Sequence, residues 1–274
     1  MENIRQAPIG VFDSGVGGLT VAREIMRQIP NERIVYFGDT ARVPYGSKSK
    51  DTIIRFSRQI VHFLKTKGVK AVVIACNTAS ALALETLQPE VDIPIIGVVL
   101  PGARVAAETT KNGKIGVIAT ESTIESHLYN RVIQERNPNA QVFGKACPLF
   151  CPLVEEGWLK DPVTVEVANR YLEPLLATGI DTLVMGCTHY PLLRSTLREI
   201  MGDKVNLVNP AYETARELKA LLEEKGLAND RQDIPADSMY QFYVSDAASK
   251  FQRFASSILP FDVDTTRLIH IEDY

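Results

Sequence analysis

The chain is predicted to be an α/β protein: two pseudo-symmetric α/β domains with mainly parallel sheets, and the functional site in the cleft between them. Three observations carry this reading. Short apolar runs alternate with longer segments of helical period along the whole chain, the pattern of parallel sheets covered on both faces. Two of the runs are near-copies, Val72-Val73-Ile74-Ala75-Cys76-Asn77-Thr78 and Leu183-Val184-Met185-Gly186-Cys187-Thr188-His189. Each reads as a buried strand that ends at a thiol followed by hydrogen-bonding residues. The copying extends upstream, because Gly68 and Gly179 each stand eight positions before their Cys, and Ile9-Gly10-Val11-Phe12-Asp13-Ser14 parallels Ile115-Gly116-Val117-Ile118-Ala119-Thr120.

The elements follow in order. Pro8 to Phe12 is a strand, Asp13 to Gly18 a glycine-rich turn, and Leu19 to Ile29 a helix. Such a turn lets backbone N–H groups approach a ligand, with the helix N-terminus favouring an anionic end. It is not a dinucleotide fingerprint: Gly15 and Gly17 fit the first two glycines, but Thr20 occupies the third position, although Asp39 lies at a suggestive distance. Arg33 to Phe37 is a second strand, and Gly38 to Lys50, with Pro44-Tyr45-Gly46-Ser47, is a ligand-holding type of loop. From Asp51 to Lys67, Ile53, Phe56, Ile60, Phe63 and Leu64 keep to one helical face.

After the first Cys strand come a helix over Ala79 to Leu87 and a strand over Ile93 to Val99, with Pro101-Gly102 as the crossing into the second half. There, strands at Lys114 to Ile118, Ala140 to Ala146, Thr182 to Met185 and Val205 to Val208 are separated by helices over Glu121 to Arg136, Val163 to Ala177 and Leu192 to Ile200. Tyr212 to Lys225 is a helix, Gly226 to Asp237 a polar linker, Met239 to Val244 a strand and Ala247 to Ile258 a helix that returns to the first domain. The expected division is 1–98 plus 208–274 for the first domain and 99–207 for the second.

Composition narrows the partners. A formal charge of -3 and a pI near 5.9 offer no basic surface for phosphates, which argues against nucleic acid and anionic membrane. Met1 to Pro8 lacks the apolar core of a signal peptide and no later run reaches membrane-spanning length, so the chain is expected in the cytoplasm. Its four cysteines are then expected as free thiols.

A thiol at a strand end is often mere packing. Two at equivalent ends of two similar domains can face one cavity, and an acid on one face with a base on the other suits removal of a proton from a carbon and its return from the opposite side. That is racemisation or epimerisation. A thiol begins near pKa ~8.5 and needs help to ionise. Helices expected from Thr78 and Pro191 would supply N–H groups, while Asp13 beside Cys76 and His189 beside Cys187 could relay protons, or could merely cap and pack. Cys147 and Cys151 have a ligand-like separation, but no His lies nearby in sequence and Pro148 and Pro152 suggest a structured loop, so no metal is expected. A Cys187–His189 thiol hydrolase or acyltransferase is the rival enzyme; residues two apart seldom point together, and Cys76 would be left without a task. A plain amino-acid binding module is the non-enzymatic rival.

Four motifs in order, Asp13-Ser14-Gly15-Val16-Gly17-Gly18-Leu19, Pro44-Tyr45-Gly46, Ala75-Cys76-Asn77-Thr78-Ala79 and Gly186-Cys187-Thr188-His189-Tyr190-Pro191, closely resemble those of bacterial glutamate racemases from about Ile9 to Tyr212. Phe242-Tyr243-Val244-Ser245-Asp246 extends the likeness less distinctively. The resemblance implies cofactor-independent interconversion of L- and D-glutamate, supplying D-glutamate for peptidoglycan. It implies Cys76 and Cys187 as proton donor and acceptor, with Asp13, Ser14, Tyr45, Gly46, Asn77, Thr78, Thr188 and His189 lining the substrate site and Glu155, followed by a second acid, near its entrance. The expected partner is glutamate, with a homodimer as one option. Racemases of aspartate share the architecture, so the side-chain length of the substrate rests on resemblance.

Overall fold

The computed structural model describes residues 4–230 and 239–274. Its strands form two sheets, and every strand pairing among the described residues is parallel. The first sheet is built on β1 (Ile9–Asp13), β2 (Ile34–Gly38), β3 (Ala71–Ile74) and β4 (Ile95–Gly97). The second contains β5 (Lys114–Ala119), β6 (Gln141–Ala146), β7 (Thr182–Gly186) and β8 (Asn206–Val208). Near the end of the chain, β9 (Tyr240–Val244) pairs with β2 and β10 (Thr266–Leu268) with β9. The orders are therefore β10-β9-β2-β1-β3-β4 and β6-β5-β7-β8. Without its two added edge strands, the first sheet has the order of the second.

The duplication seen in sequence holds at the level of register. Ile9 lies opposite Ala71 and Ile115 opposite Thr182. Extending both ladders by the same number of steps brings Ser14 level with Cys76 and Thr120 level with Cys187.

Helices cover both faces. Around the first sheet, α1 (Leu19–Gln28), α10 (Pro210–Glu224) and α11 (Ala248–Ile258) contribute to one core, where Val11 and Val73 meet Leu218 and Phe251. On the other face, α2 (Lys50–Thr66) and α3 (Asn77–Leu87) bury Phe12 and Ile74 beneath Ile60, Phe63 and Leu84. The second sheet lies between α4 (Val99–Thr109) with α6 (Leu128–Arg136) on one side, and α7 (Phe150–Glu155), α8 (Pro162–Leu176) and α9 (Arg194–Met201) on the other. Buried on both faces, β1, β3 and β7 can be apolar throughout, which is why they read as continuous runs.

Local signals set the ends. Ser49, Asp161 and Asn209 cap α2, α8 and α10 through side-chain oxygens that accept from backbone N–H groups, and Pro162 and Pro210 follow directly, where a missing N–H costs nothing. Gly68 and Gly179 take φ of +68° and +75° just past α2 and α8, the left-handed step that closes a helix. Pro101-Gly102 lies in the connection between the two sheets, Val98 to Gly113, but inside α4, because proline is tolerated in a first helical turn. One expectation fails. The helix expected over Glu121 to Arg136 is interrupted by His127 at φ +52°, giving α5 (Glu121–Glu125) and α6. The linker expected from Gly226 lies partly outside the described residues.

A buried ion pair anchors the start of β3. The Lys70 Nζ stands 2.5 Å from Glu32 Oε2 and donates to the Arg5 carbonyl at 2.6 Å, with both charged side chains almost fully enclosed. Burial pushes the Lys70 ammonium below its ordinary pKa, and Glu32 is the main group that offsets it. Lys70→Met should therefore cost about 3 kcal/mol, read as a lower urea midpoint, because it strands a buried carboxylate; adding Glu32→Leu should recover part of the loss.

Candidate active site

Both thiols open on one cavity of about 80 Å³ at the carboxyl ends of the two sheets. This is where α/β folds place ligands, since the turns that follow parallel strands converge there. Of the residues singled out in sequence, Ser14, Tyr45, Gly46, Cys76, Asn77, Thr78, Glu155, Cys187, Thr188 and His189 all line it. Asp13 does not line it; it lies fully buried at the end of β1.

Cys76 caps α3. Its Sγ accepts from the Ala79 N–H at 3.5 Å and donates to Ser14 Oγ at 3.6 Å. Burial and the nearby Asp13 carboxyl push the thiol up to about 12. Asp13 is itself raised, mainly by burial, against the lowering influence of His189 and of the Gly18, Gly15 and Ser14 N–H groups. The Gly15 N–H donates to Asp13 Oδ2 at 3.0 Å, while Oδ1 has no hydrogen-bond partner. A carboxyl in that state is ready to exchange a proton with a neighbour.

The surroundings of Cys187 differ. The stretch after β7 is a turn leading to a 3₁₀ segment, Tyr190–Leu193, that runs directly into α9, and the Cys187 Sγ is met by side chains. His189 Nδ1 lies 3.8 Å away and Cys151 Sγ 3.6 Å away. The expected helix-end stabilisation is thus replaced by an imidazole. Residues two apart do point together here, because the chain leaves the extended state directly after Gly186. His189 Nε2 is 3.2 Å from Glu155 Oε1, and Lys250 Nζ donates to Glu155 Oε2 at 3.1 Å. The neighbouring acid, Glu156, is exposed.

The Cys187 thiol is held well above its ordinary range by the Cys151 sulfur and by burial, against the pull of His189. Burial opposes charge on His189, but Cys187 and Glu155 outweigh it and push the imidazole up to about 10. Hydrogen bonding to His189 lowers the Glu155 carboxyl. Both sulfurs are thus held above their ordinary range, with the His189–Glu155 pair behind one of them.

The remaining contacts join the two halves across the cleft. Tyr129 donates to Asn77 Oδ1 at 2.8 Å, and Thr78 Oγ1 lies 2.8 Å from Thr120 Oγ1. Tyr45, following the cis Val43–Pro44 bond, donates to buried Asp39, which also holds Arg42 at 2.7 Å. Asp39 is accordingly a structural carboxylate and not a ribose ligand. Beyond Gly15, Val16 and Pro44, which lie within the quoted motifs, three pocket residues escaped the sequence reading. Thr120 stood in the copy of Ser14, a signal that was available. Val43 gave none. Cys151 was paired with Cys147, whereas its sulfur faces Cys187, and Cys147 donates to the Lys145 carbonyl at 3.5 Å.

A model of one protein family, described as Asp/Glu/Hydantoin racemase, matches residues 9–218. The chain belongs to this racemase family. It is 49% identical over 273 residues to the glutamate racemase of Neisseria meningitidis serogroup A, covering 99% of this chain and 100% of that one. Among solved structures, a glutamate racemase isoform of Bacillus anthracis superposes with a TM-score of 0.92 at 41% identity, covering 97% of this chain and 98% of that one. The Francisella tularensis glutamate racemase in complex with D-glutamate gives 0.91 at 38% identity, with 98% and 100% covered. The two-domain racemase fold expected from sequence is thereby shown, and the chain is an amino-acid racemase, an isomerase. Among the described residues no helix is long and apolar enough to cross a membrane.

The His189–Glu155 pair gives this racemase a pH signature. His189 is raised in the folded chain from 6.5 to about 10, so its stabilising contribution is full below about 6.5 and fades as pH climbs towards 10. Glu155 is lowered from 4.5, so its share is present above that value and lost on acidification. The gap in urea midpoint between the unmodified protein and His189→Asn should be widest between about pH 4.5 and 6.5 and close towards pH 10.

Proposed function

We propose that this racemase interconverts L- and D-glutamate by a two-base mechanism in which Cys76 and Cys187 work from opposite faces of the α-carbon. The observation that carries the reading is the placement of both thiols, from equivalent strand ends, on one small cavity. The whole-length likeness to glutamate racemases supports glutamate as the substrate, and, as the family resemblance implies, D-glutamate would serve peptidoglycan synthesis in the cytoplasm. We place the domain division at 1–98 plus 208–274 and 99–207, which follows the membership of the two sheets except at Val208, the last residue of β8.

The cycle begins with one sulfur as thiolate. For Cys76, the Ala79 N–H and the Ser14 hydroxyl hold the anion, and the Asp13 carboxyl with its open Oδ1 takes and returns the proton. For Cys187, His189 plays that part, oriented by Glu155. The thiolate removes the α-proton, and the opposite thiol protonates the planar intermediate from the other face. Asn77, Thr78, Thr120 and Thr188 offer hydroxyl and amide groups for the substrate's carboxylates. No lysine lines the cavity among the described residues, which leaves no amine there for a pyridoxal Schiff base.

The hydrolase reading gains from the Cys187–His189 contact but still leaves Cys76 idle on the same cavity. Single replacements separate the two. Cys76→Ser and Cys187→Ser should each lower turnover by roughly 10³-fold or more, since a hydroxyl is a far weaker acid than a thiol. Substantial activity in Cys76→Ser would sink the paired-thiol scheme.

Isotope incorporation tests the two faces directly. In deuterium oxide, early D-glutamate formed from L-glutamate should carry deuterium at the α-carbon, while recovered L-glutamate carries little. The proton taken by one sulfur is not the one delivered by the other, which has equilibrated with solvent. Equal labelling of both pools in the first few per cent of reaction would point to a single base.

A further inference from the structure

We propose that Cys151, Cys187 and His189 form an inhibitory site for a soft divalent cation of the zinc type. The Cys151 and Cys187 sulfurs are 3.6 Å apart, Cys187 Sγ and His189 Nδ1 are 3.8 Å apart, and the ligand atoms of all three residues lie within 4.8 Å of one another. In tetrahedral zinc with Zn–S near 2.3 Å, two sulfurs stand about 3.8 Å apart, and a sulfur–nitrogen edge is slightly shorter. The two measured edges need only a few tenths of an ångström of adjustment to receive the ion.

The donor set and its support agree with this. Two sulfurs and an imidazole select zinc, cadmium or copper(I) over magnesium or calcium. Glu155 Oε1 sits 3.2 Å from His189 Nε2, so the Nε2–H donates to the carboxylate and Nδ1 is left as the ligand nitrogen. Histidine ligands are commonly fixed by such a carboxylate. Lys250 holds the other oxygen of Glu155 at 3.1 Å. Three protein ligands leave a fourth position, and all three residues line the cavity, so water or a substrate carboxylate can fill it. Both sulfurs bind as thiolates and Nδ1 as an unprotonated nitrogen, and the protons that Cys151, Cys187 and Nδ1 of His189 carry leave to solvent.

Occupancy would silence the enzyme, because a Cys187 sulfur bound to the ion can neither take nor give the α-proton. This consequence rests on the role proposed for Cys187; the binding itself does not. Cys151 supplies the third ligand that turns a catalytic Cys–His pair into a chelating site, and the protein would thereby sense soft metal through its own reaction centre.

The test uses the full chain, reduced with a non-chelating phosphine and titrated with cadmium or zinc. One equivalent of cadmium should produce a thiolate-to-metal charge-transfer band in the ultraviolet, whereas magnesium should produce none and should not compete. Loss of a carboxylate behind a histidine ligand weakens metal affinity by roughly 10- to 100-fold, so Glu155→Gln should fall in that range and Cys151→Val or Cys187→Ser should lose roughly 100-fold or more. Zinc should inhibit racemisation by the unmodified protein, and Cys151→Val, compared with its own metal-free rate, should resist zinc by the same factor as its loss of affinity. Absence of the band, or binding undiminished in Cys151→Val, would overturn the site. Binding as described without inhibition would leave the site standing and overturn both the inhibition and the role of Cys187 on which it rests.

Discussion

The two halves meet closely at a residue with no side chain. Gly17 lies under the turn that follows Cys187, where an added Cβ would stand 2.4 Å from Thr188 Oγ1 and 2.6 Å from the His189 ring. The neighbouring Thr20 uses that proximity, donating its hydroxyl to the Thr188 carbonyl at 2.9 Å. The glycine-rich turn is therefore built as much for the approach of the opposite half as for a ligand. Gly46 repeats the device on the other side of the cavity, where a Cβ would come within 2.8 Å of Thr120 and where Ser122 donates to the Gly46 carbonyl at 2.7 Å. These contacts attach directly beside the residues that face the cavity. The spacing of the two thiols is thus set by packed backbone and not by the length of a flexible side chain.

Closure of that kind buries both thiols, and the electrostatics follow. Burial raises Cys76, and the Cys151 sulfur together with burial raises Cys187, so neither sulfur is a ready base in the absence of substrate. The two are nevertheless unlike. Cys76 has a backbone N–H, a hydroxyl and a buried carboxyl for company, whereas Cys187 faces an imidazolium fixed by Glu155. An imidazolium favours a thiolate strongly, and a buried carboxyl disfavours one unless it is protonated. Duplication supplied equivalent strand ends, and divergence of the second shell gave the two sulfurs different means of losing a proton. A racemase needs both directions to run, and unequal neighbours can serve that end because its two substrates present mirror-related surroundings to the same pair of walls.

The parts legible in sequence were those that local chemistry dictates. Strands buried on both faces leave continuous apolar runs, Gly68 and Gly179 mark left-handed steps, and Cys76 and Cys187 stand at matched distances from them. What escaped depends on how separate elements pack. Cys151 belongs to α7, whose position against β7 is set by Phe150 meeting the Tyr190 ring edge-on at 5.2 Å and by Tyr190 donating to the Cys147 carbonyl at 2.8 Å. No local pattern announces either contact. The convergence of Cys187 with His189 was misjudged for a related reason: alternation along a strand holds only while the chain stays extended, and here it ends at Gly186. Pro101-Gly102 marks the crossing between the sheets without ending a helix, since in a first helical turn proline breaks nothing.

The final strands show how a segment remote in sequence comes to serve the cavity. Ser245, directly after β9, donates to Asp39 Oδ1 at 2.9 Å and accepts from the Ala41 N–H at 2.9 Å. Asp39 in turn receives Tyr45, so the loop that presents Tyr45 and Gly46 is braced from beneath by the returning chain. On the same side, α11 provides Lys250 to Glu155 and sets the Phe254 ring 6.3 Å from that of His189. Lys250 is more than half exposed, so its pull on Glu155 is screened and modest. Glu155 nonetheless keeps one oxygen for the lysine and one for the histidine, which leaves the imidazole a single orientation, with Nδ1 towards the Cys187 sulfur. The added edge of the first sheet therefore reaches both walls of the site: the Tyr45 loop through Asp39, and the Cys187 thiol through Glu155 and His189.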